Sequence, residues 1–287
     1  MVLQVPVSGL AAIRRRLGDG LFGVVAGPDG DRDRSRIHDT PGPRWFAPER
    51  PIREVHADAS MFVGGLRALL LQSLHPLAMA AVAEHSGYKG DPWGRLQRTS
   101  LFLAMTTYGT AADASRAVAG VRAVHRKVRG VAPDGRPYSA GDPHLLRWVH
   151  LAEVDSFICC HRLFGARRLD YAEYDAYVED MAVVARALRV PDPPMNQVEV
   201  AEQLASYRPE LRGTPQAREA ARFMLVRTPM PLYARPPYAL LAATAVSTLP
   251  AWARWPLRLP YLPIAEATAI RLAGKTVVGG IRWAMTA

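Results

Sequence analysis

One nearly continuous apolar run constrains the fold more than any other feature of this sequence. Residues 61–86 read MFVGGLRALLLQSLHPLAMAAVAEHS, and apolar side chains cover the helix that they predict on almost every side. A helix that is apolar all round is typical of a protein interior. Pro76 lacks a backbone N–H and clashes with the preceding turn, so we predict that this helix, from about residue 57 to residue 84, breaks after His75.

Cap signals predict several further helices. The pairs Asp91-Pro92 and Asp142-Pro143 each place a capping carboxylate before a proline that fits the first helical position. Asp170 with Glu173 predicts a capping box for a helix that reaches about residue 189. No stretch shows the alternation typical of strands, and no repeat is present. These patterns indicate an all-α fold with about eight to ten helices.

The composition divides the chain into two parts. Residues 1–50 are rich in Gly, Asp, Arg and Pro, which predicts a loosely ordered N-terminal arm with at most a short helix near residues 11–16. Residues 51–287 carry the helix signals and are expected to form a single globular domain. Within it, PAWARWPLRLPYLP (residues 250–263) interleaves prolines, arginines and aromatics. Such a segment is either an irregular strap packed over the domain or a surface that lies on a bilayer interface.

The charge balance is basic, with 36 Lys and Arg against 26 Asp and Glu and a net charge of +10. This charge favours anionic partners. No nucleic-acid-binding motif is present, so we expect a solvated basic surface and no nucleic-acid partner.

Cys159 and Cys160 are adjacent and poorly placed to pair with each other, and no CxxC occurs. With no signal-peptide pattern and no apolar run long enough to span a bilayer, these features predict a cytoplasmic protein that at most associates with a membrane surface.

Residues 91–130 predict a helical hairpin that carries most of the candidate functional residues. Its first helix is expected to end at Gly109 and its second at Gly130. Spacings of three and four place a patch on one face of the first helix, formed by Arg95, Arg98, Thr99 and Phe102. The second helix carries a stripe formed by Val118, Val121, His125 and Val128. At about 1.5 Å per residue, the patch and His125 both lie roughly 15–20 Å from the hairpin tip, an arrangement that suits a flat, anionic cofactor.

His125 is the sharpest candidate for a metal ligand. A histidine on an apolar helix face is more often a core or interface residue with satisfied hydrogen bonds. Here Arg122 and Arg129 flank it, and two cations disfavour the imidazolium, so we expect the neutral ring that ligates iron. The rigid guanidinium fork of arginine also suits carboxylates on a ligand.

Four short motifs, two of them within the hairpin, occur in order along the chain. RLQRT (95–99) and RAVHRKVRG (122–130) are preceded by LHP (74–76) and followed by WVHLAEVDS (148–156). In this order they resemble the haem-binding signature of the MpaB-type oxygenase and rubber oxygenase (latex-clearing protein) family. The resemblance covers about residues 53–224, which is most of the chain.

The resemblance implies a haem b cofactor in a pocket between the central helices. His125 would be the axial iron ligand, and Arg122 and Arg129 would pair with the haem propionates. The resemblance also places Arg95, Arg98 and Thr99 on the distal side of the haem. Of these, Arg98 and Thr99 would act as catalytic residues that orient O₂.

The same resemblance implies an oxygenase that uses O₂ on an apolar organic substrate of isoprenoid or polyketide type. Two alternatives stay open at the level of sequence. One is a haem-dependent oxidase or dehydrogenase that inserts no oxygen. The other is a non-catalytic haem-binding or membrane-surface protein.

The chain departs from the rubber oxygenases at two positions. Where those enzymes have a lysine that can lose its proton and ligate iron, this chain has Arg98, which stays charged. We therefore expect Arg98 to donate hydrogen bonds to oxygen or substrate, with the sixth iron position open or filled by water. Their active-site glutamate has no placed equivalent, because counting back reaches Met79 and the nearest acid is Glu84. The resemblance thus supports haem binding more than cleavage of a carbon–carbon double bond.

The remaining histidines have structural interpretations. His75 can bond carbonyls that Pro76 frees at the break, and His150 can pair with an acid in the core, although both histidines and Asp155 also belong to the family pattern. A di-iron bundle would need paired Glu-x-x-His motifs, and none occurs. The sequence also lacks HExxH, GxSxG, P-loop and dinucleotide-binding motifs.

Overall fold

Helices make up almost all of the regular structure in residues 7–286, the part of the chain that this computed structural model describes. The α-helices are α1 (Val7–Ala26), α2 (Gly30–Asp39), α3 (Pro51–Ala57), α4 (Met61–Gln72), α5 (Pro76–His85), α6 (Pro92–Tyr108), α7 (Ala111–Lys127), α8 (Pro143–Phe164), α9 (Tyr171–Ala187), α10 (Gln197–Ser206), α11 (Pro215–Arg222), α12 (Arg235–Thr248), α13 (Ala251–Leu257), α14 (Pro263–Ala265) and α15 (Arg271–Met285). Two short strands, β1 (Arg129–Val131) and β2 (Pro137–Ser139), form an antiparallel hairpin. Short 3₁₀ turns lie at Arg208–Glu210 and Leu232–Ala234, and π-type turns at Phe223–Arg227 and Glu266–Ile270.

The all-α prediction is confirmed, but the predicted number of helices is too low. Within the described residues, fourteen helices have seven or more residues, against the eight to ten expected. One reason is the N-terminal segment, which was predicted to be loosely ordered with a short helix near residues 11–16. It instead holds α1 and α2, and the Arg14 side chain of α1 donates hydrogen bonds to Trp283 O (2.8 Å) and Thr286 Oγ1 (2.5 Å) at the other end of the chain. Such long-range contacts leave no local signal in the sequence.

The break predicted at Pro76 organises the centre of the molecule. Helix α4 ends at Gln72 and α5 starts at Pro76, and their axes differ in direction by 108°. Most of α4 is buried, as its all-round apolar surface predicted, and it packs along α8. Gly64 lies at the closest approach, where an added Cβ would come within 2.9 Å of the Phe157 ring. The fully buried Trp148 of α8 donates from its indole to Gln72 O at 3.2 Å, which ties the two helices together at the break.

The predicted helix starts are confirmed at the level of individual hydrogen bonds. Asp91 accepts from the Gly94 backbone N–H at 2.9 Å, and Asp142 accepts from His144 N–H, also at 2.9 Å. Asp170 and Glu173 form both bonds of the capping box, each at 2.8 Å. Each cap stabilises its helix by about 1 kcal/mol.

The hairpin of α6 and α7 is present, but its second helix ends earlier than predicted. Helix α7 stops at Lys127, because residues 129–131 pair with residues 137–139 across a turn that contains Asp134 and Gly135. Gly135 has φ +85°, a conformation that favours glycine. The Asp-Gly pair between two short runs is a hairpin signal in its own right. Gly130 therefore lies in β1 and does not cap the helix.

Residues 250–263 are half helical. They include α13, in which Ala253 and Leu257 are buried, while Trp255 is largely exposed. The buried Arg254 guanidinium donates to Leu249 O and Ser247 O, both at 2.7 Å, and pairs with Glu266 at 2.6 Å. These bonds fix the segment against the body of the fold.

Among residues 7–286, no single helix has the length and hydropathy needed to cross a membrane. The bent pair α4 and α5 passes that test together by length and composition alone.

Candidate functional site

A groove of about 500 Å³ lies between α6 and α7, along the predicted hairpin. One wall consists of four residues of α6, namely Arg98, Leu101, Phe102 and Met105. The other consists of seven residues of α7, namely Asp113, Arg116, Ala117, Gly120, Val121, Val124 and His125, and Arg36 of α2 adds to the lining. The volume falls within the usual range for small-molecule sites, about 300–1,000 Å³.

Helical spacing explains the shape of the groove. The four lining residues of α6 follow the pattern i, i+3, i+4 and i+7, so they share one face of the helix. Because the two helices run antiparallel, Arg98 lies near the same end as His125, and Met105 lies near Asp113. Gly120 contributes to the open space, since a Cβ added there would meet no atom within 4 Å. The middle of the groove is apolar, and both ends carry polar groups.

His125 presents an available imidazole at one end. Its ring is partly buried and has no hydrogen-bond partner among the described residues, and burial lowers its pKa below the ordinary 6.5. The ring is therefore neutral at pH 7, as predicted, but the predicted cause is wrong. Burial and not the charge of Arg122 or Arg129 lowers the pKa, since Arg129 lies exposed in β1.

Arg98 faces the same groove but is not buried. Its side chain is 65% exposed and forms one ion pair with Asp91 at 3.2 Å. Only Met105, Thr106 and Thr107 of α6 are fully buried. Of the apolar residues before them, Leu101 and Phe102 line the groove and Leu103 packs against the core. Water therefore surrounds most of the Arg98 guanidinium. An exposed ion pair of this kind contributes little to stability.

The other four predicted site residues do not line the groove. The Arg95 side chain is partly buried, donates to Ser86 Oγ at 2.9 Å, and has a pKa lowered by burial. Thr99 is exposed, and its hydroxyl donates to the Arg95 carbonyl at 3.0 Å within the helix. Arg122 is partly exposed on α7 and Arg129 is exposed in β1. Of the six predicted site residues, the structure thus places Arg98 and His125 in the groove and the other four outside it.

The opposite end of the groove holds a charged cluster that the sequence did not reveal. Asp113 is buried and accepts from Arg36 at 2.5 Å and from Arg116 at 2.6 Å. These bonds, led by Arg116, and one from Thr110 lower the pKa of Asp113 to about 2. Two guanidiniums against one carboxylate leave a net positive charge at this end. Arg36 lies 77 residues before Asp113, so only the packing of α2 against the hairpin makes the cluster visible.

The histidines and acids of the other motifs lie outside the groove. His75 bonds Glu210 at 3.3 Å and not the carbonyls near Pro76. His150 is buried, and burial lowers its pKa to about 4. Its Nε2 has no hydrogen-bond partner among residues 7–286, so the predicted pairing with a core acid is not found there. Asp155 instead pairs with Arg67 at 2.7 Å. Glu84 accepts a hydrogen bond from Tyr138.

Glu153 on α8 lies within the WVHLAEVDS motif but was not among the predicted site residues. Its carboxyl is partly buried and has no hydrogen-bond partner among residues 7–286, and burial raises its pKa to about 7 from 4.5. The folded state therefore keeps a proton that the unfolded state releases. The folded state loses stability relative to the unfolded state as the pH rises from 4.5 to 7, and the full penalty applies above pH 7.

Replacing Glu153 by Gln removes this ionisation while preserving the shape of the protonated acid. We expect Glu153→Gln to stabilise the fold by ~1–3 kcal/mol at pH 8 and to have little effect at pH 4.5. Urea unfolding of both proteins at the two pH values measures the difference. Equal effects at both pH values would show that the carboxyl does not titrate as described.

The chain shares its sequence pattern with known proteins over most of its length. Residues 53–283 match the family model described as "ER-bound oxygenase mpaB/B'/Rubber oxygenase, catalytic domain". Two relatives are each 33% identical over 102 residues, the uncharacterized proteins Rv2237 of Mycobacterium tuberculosis and Mb2261 of Mycobacterium bovis. Each alignment covers 35% of this chain and 39% of the relative, so the chain spans about two fifths of those relatives' length.

No solved structure matches the chain. The family model covers well over half of the sequence, including the groove between α6 and α7. The protein therefore belongs to the mpaB and rubber oxygenase catalytic-domain family.

Proposed function

We propose that this protein is a haem b-dependent oxygenase and that the groove between α6 and α7 holds the haem. The observation that carries the proposal is the neutral His125 imidazole, which has no hydrogen-bond partner in the described part of the chain and faces an apolar groove opposite Arg98. A neutral imidazole is the usual proximal ligand of haem iron. Membership of an oxygenase family supports the same conclusion.

The residues that line the groove fit a haem. The apolar side chains of Leu101, Phe102 and Val121 suit the porphyrin faces. The cationic end formed by Arg36 and Arg116 suits the propionates, because arginine pairs well with carboxylates and Asp113 neutralises only one of the two charges. The proposal thus assigns propionate binding to Arg36 and Arg116, in place of Arg122 and Arg129.

A bound haem would supply the activation of O₂, and the chain's own residues would control the surroundings. His125 would hold the iron, and the apolar middle of the groove would exclude water from the reacting atoms. Arg98 can donate up to five hydrogen bonds and cannot be deprotonated near neutral pH, so it would orient oxygen or substrate without ligating iron. Thr99 has no assigned step, since its hydroxyl already donates within α6.

The proposed substrate is an apolar organic molecule of isoprenoid or polyketide type, in keeping with the apolar lining of the groove. The test uses hemin-loaded, reduced protein with ¹⁸O₂ and a panel of short oligo-isoprenes and polyenes. Mass spectrometry is expected to find ¹⁸O in the product. Oxidised product without ¹⁸O would identify a haem oxidase or dehydrogenase instead. No oxygen consumption with any compound would favour a non-catalytic haem-binding protein.

Replacing Arg98 separates its proposed role from haem binding. We expect Arg98→Leu to lower turnover by about 100-fold, as for the loss of one preorganised donor, while the affinity for hemin stays within a few-fold of the wild type. Arg98→Lys is the informative companion, because a lysine can become neutral and ligate iron. EPR of the ferric proteins is expected to show a nitrogen-ligated, six-coordinate iron in Arg98→Lys only. The same signal in the wild type would contradict the assignment.

A further inference from the structure

A second group of metal-ligating side chains lies apart from the groove, at the break between α4 and α5. His75 is the residue before α5, His144 is in the first turn of α8, and Glu210 ends the 3₁₀ turn that precedes α11. One ligand atom from each lies within 4.8 Å of the others. Three elements far apart in the sequence therefore converge on one point.

The distances suit a single ion. His75 Nε2 is 3.3 Å from Glu210 Oε2, and His144 Nε2 is 2.9 Å from both oxygens of the same carboxylate. In a tetrahedral site with bonds of about 2.0–2.1 Å, neighbouring ligand atoms are separated by about 3.3 Å. Both histidine–carboxylate distances are within about half an ångström of that separation, and the three ligand atoms all lie within 4.8 Å of one another.

Tyr207 gives His144 the outer support that metal-bound histidines usually have. The Tyr207 hydroxyl donates to the His144 carbonyl at 2.9 Å and lies 3.2 Å from Nδ1 of the same residue, and the two rings stack at 4.5 Å. With Nε2 on a metal, Nδ1 carries the proton and donates to the tyrosine oxygen. A hydrogen bond from the second ring nitrogen fixes the tautomer and orientation of a ligating histidine.

His75 lies buried beside the carboxylate of Glu210. Its ring is 1% exposed, and its Nδ1 has no hydrogen-bond partner within the described part of the chain. The ring is held between Trp148 and Tyr207, with centroid distances of 6.4 and 6.3 Å. Burying an imidazole with one nitrogen unsatisfied costs about 1–3 kcal/mol. Nε2, and not the unpartnered Nδ1, faces Glu210, so Nε2 is the nitrogen placed to ligate an ion.

We propose that His75, His144 and Glu210 bind one divalent transition-metal ion of the class that includes Zn²⁺ and Fe²⁺, with water completing the coordination. Two histidines and one carboxylate form a donor set known for both metals. The side chains of His144 and Glu210 are 48% and 38% exposed, which gives the ion a path from solvent. The ion clamps the α4–α5 break to the start of α8 and to the turn before α11.

The test uses the full chain without an affinity tag, stripped with chelator and kept free of hemin. Zn²⁺, Fe²⁺ under anaerobic conditions, and Co²⁺ as a spectroscopic probe are each titrated in competition with a chromogenic chelator. The variants are His144→Gln and Glu210→Gln, both at exposed positions, so that folding is preserved and checked by circular dichroism. The matched control is His85→Gln, since His85 lies 4.0 Å from Glu84 but outside any such three-residue group in residues 7–286.

The wild type and His85→Gln are expected to bind one Zn²⁺ or Fe²⁺ per chain, and visible Co²⁺ bands will show nitrogen and oxygen ligation. His144→Gln and Glu210→Gln are expected to weaken binding by more than about 100-fold, because the loss of an outer partner alone costs about 10–100-fold. Tyr207→Phe is expected to weaken it by about 10-fold. The proposal is overturned if the wild type retains no ion against the chelator, or if His144→Gln binds as tightly as the wild type.

Discussion

Replacing His125 by alanine is expected to abolish stable haem binding, with a loss of at least ~100-fold in hemin affinity and disappearance of the Soret band. The reason is that His125 is the one histidine lining the groove, and its ring is neutral with no competing hydrogen bond among the described residues. Absorbance titration with hemin measures the effect. The matched control is His85→Ala, which removes a histidine that does not line the groove.

Two companion experiments separate the ligand role of His125 from a structural one. Added imidazole is expected to restore the Soret band of His125→Ala, because a free ring can occupy the space that the side chain leaves. Gly120→Phe keeps the imidazole but fills open space in the groove, and it is expected to block hemin as well. Wild-type hemin affinity in either variant would show that the haem binds elsewhere.

The largest effect on stability is expected at Arg67, a charged residue within the apolar helix α4. Its side chain is 4% exposed, and one guanidinium nitrogen lies 2.7 Å from both Asp155 Oδ2 and Ser156 Oγ. Its Nε donates to Thr248 O at 3.2 Å, so the residue joins α4, α8 and α12. Burial opposes the charge, yet the attraction of Asp155 keeps the pKa of Arg67 above its ordinary value.

Arg67→Ala is expected to lower the free energy of unfolding by about 3–5 kcal/mol, since it leaves Asp155 without its partner and opens a cavity. Arg67→Met refills the cavity and is expected to be less destabilising. Arg167 is the matched control, because it also contacts two carboxylates, Glu54 and Glu173, but on the surface. Urea unfolding of Arg167→Ala is expected to stay close to the wild type, and similar losses for both alanine variants would contradict the account.

Local patterns were sufficient to predict many helix boundaries of this fold. Caps such as Asp91 and Asp170 depend on residues two or three positions away, and the Pro76 break depends on a single ring, so neighbouring residues determine both. The placement of Arg98 and His125 in one groove follows from helical rise alone once the hairpin is assumed. These features depend on residues close together in the chain, which is why they could be predicted from one sequence.

The features that sequence reasoning missed depend on the tertiary fold. The pairing of Arg36 with Asp113 and of Arg67 with Asp155 spans 77 and 88 residues, and no spacing rule applies at that distance. Arg95 and Thr99 do not line the groove, because its side of α6 is centred near Met105. At about 100° per residue they lie roughly 80° and 120° from Met105 around the helix, so the groove overlaps only part of the predicted patch. The expectation that Arg122 and Arg129 set the pKa of His125 failed because burial dominates there.

The most direct measurement of the central claim is the absorption spectrum of the purified wild-type protein, taken as isolated and during titration with hemin. The account predicts a Soret band that saturates at one haem per chain and a haem b spectrum when the pigment is extracted. A colourless protein whose titration reproduces the spectrum of free hemin would contradict it.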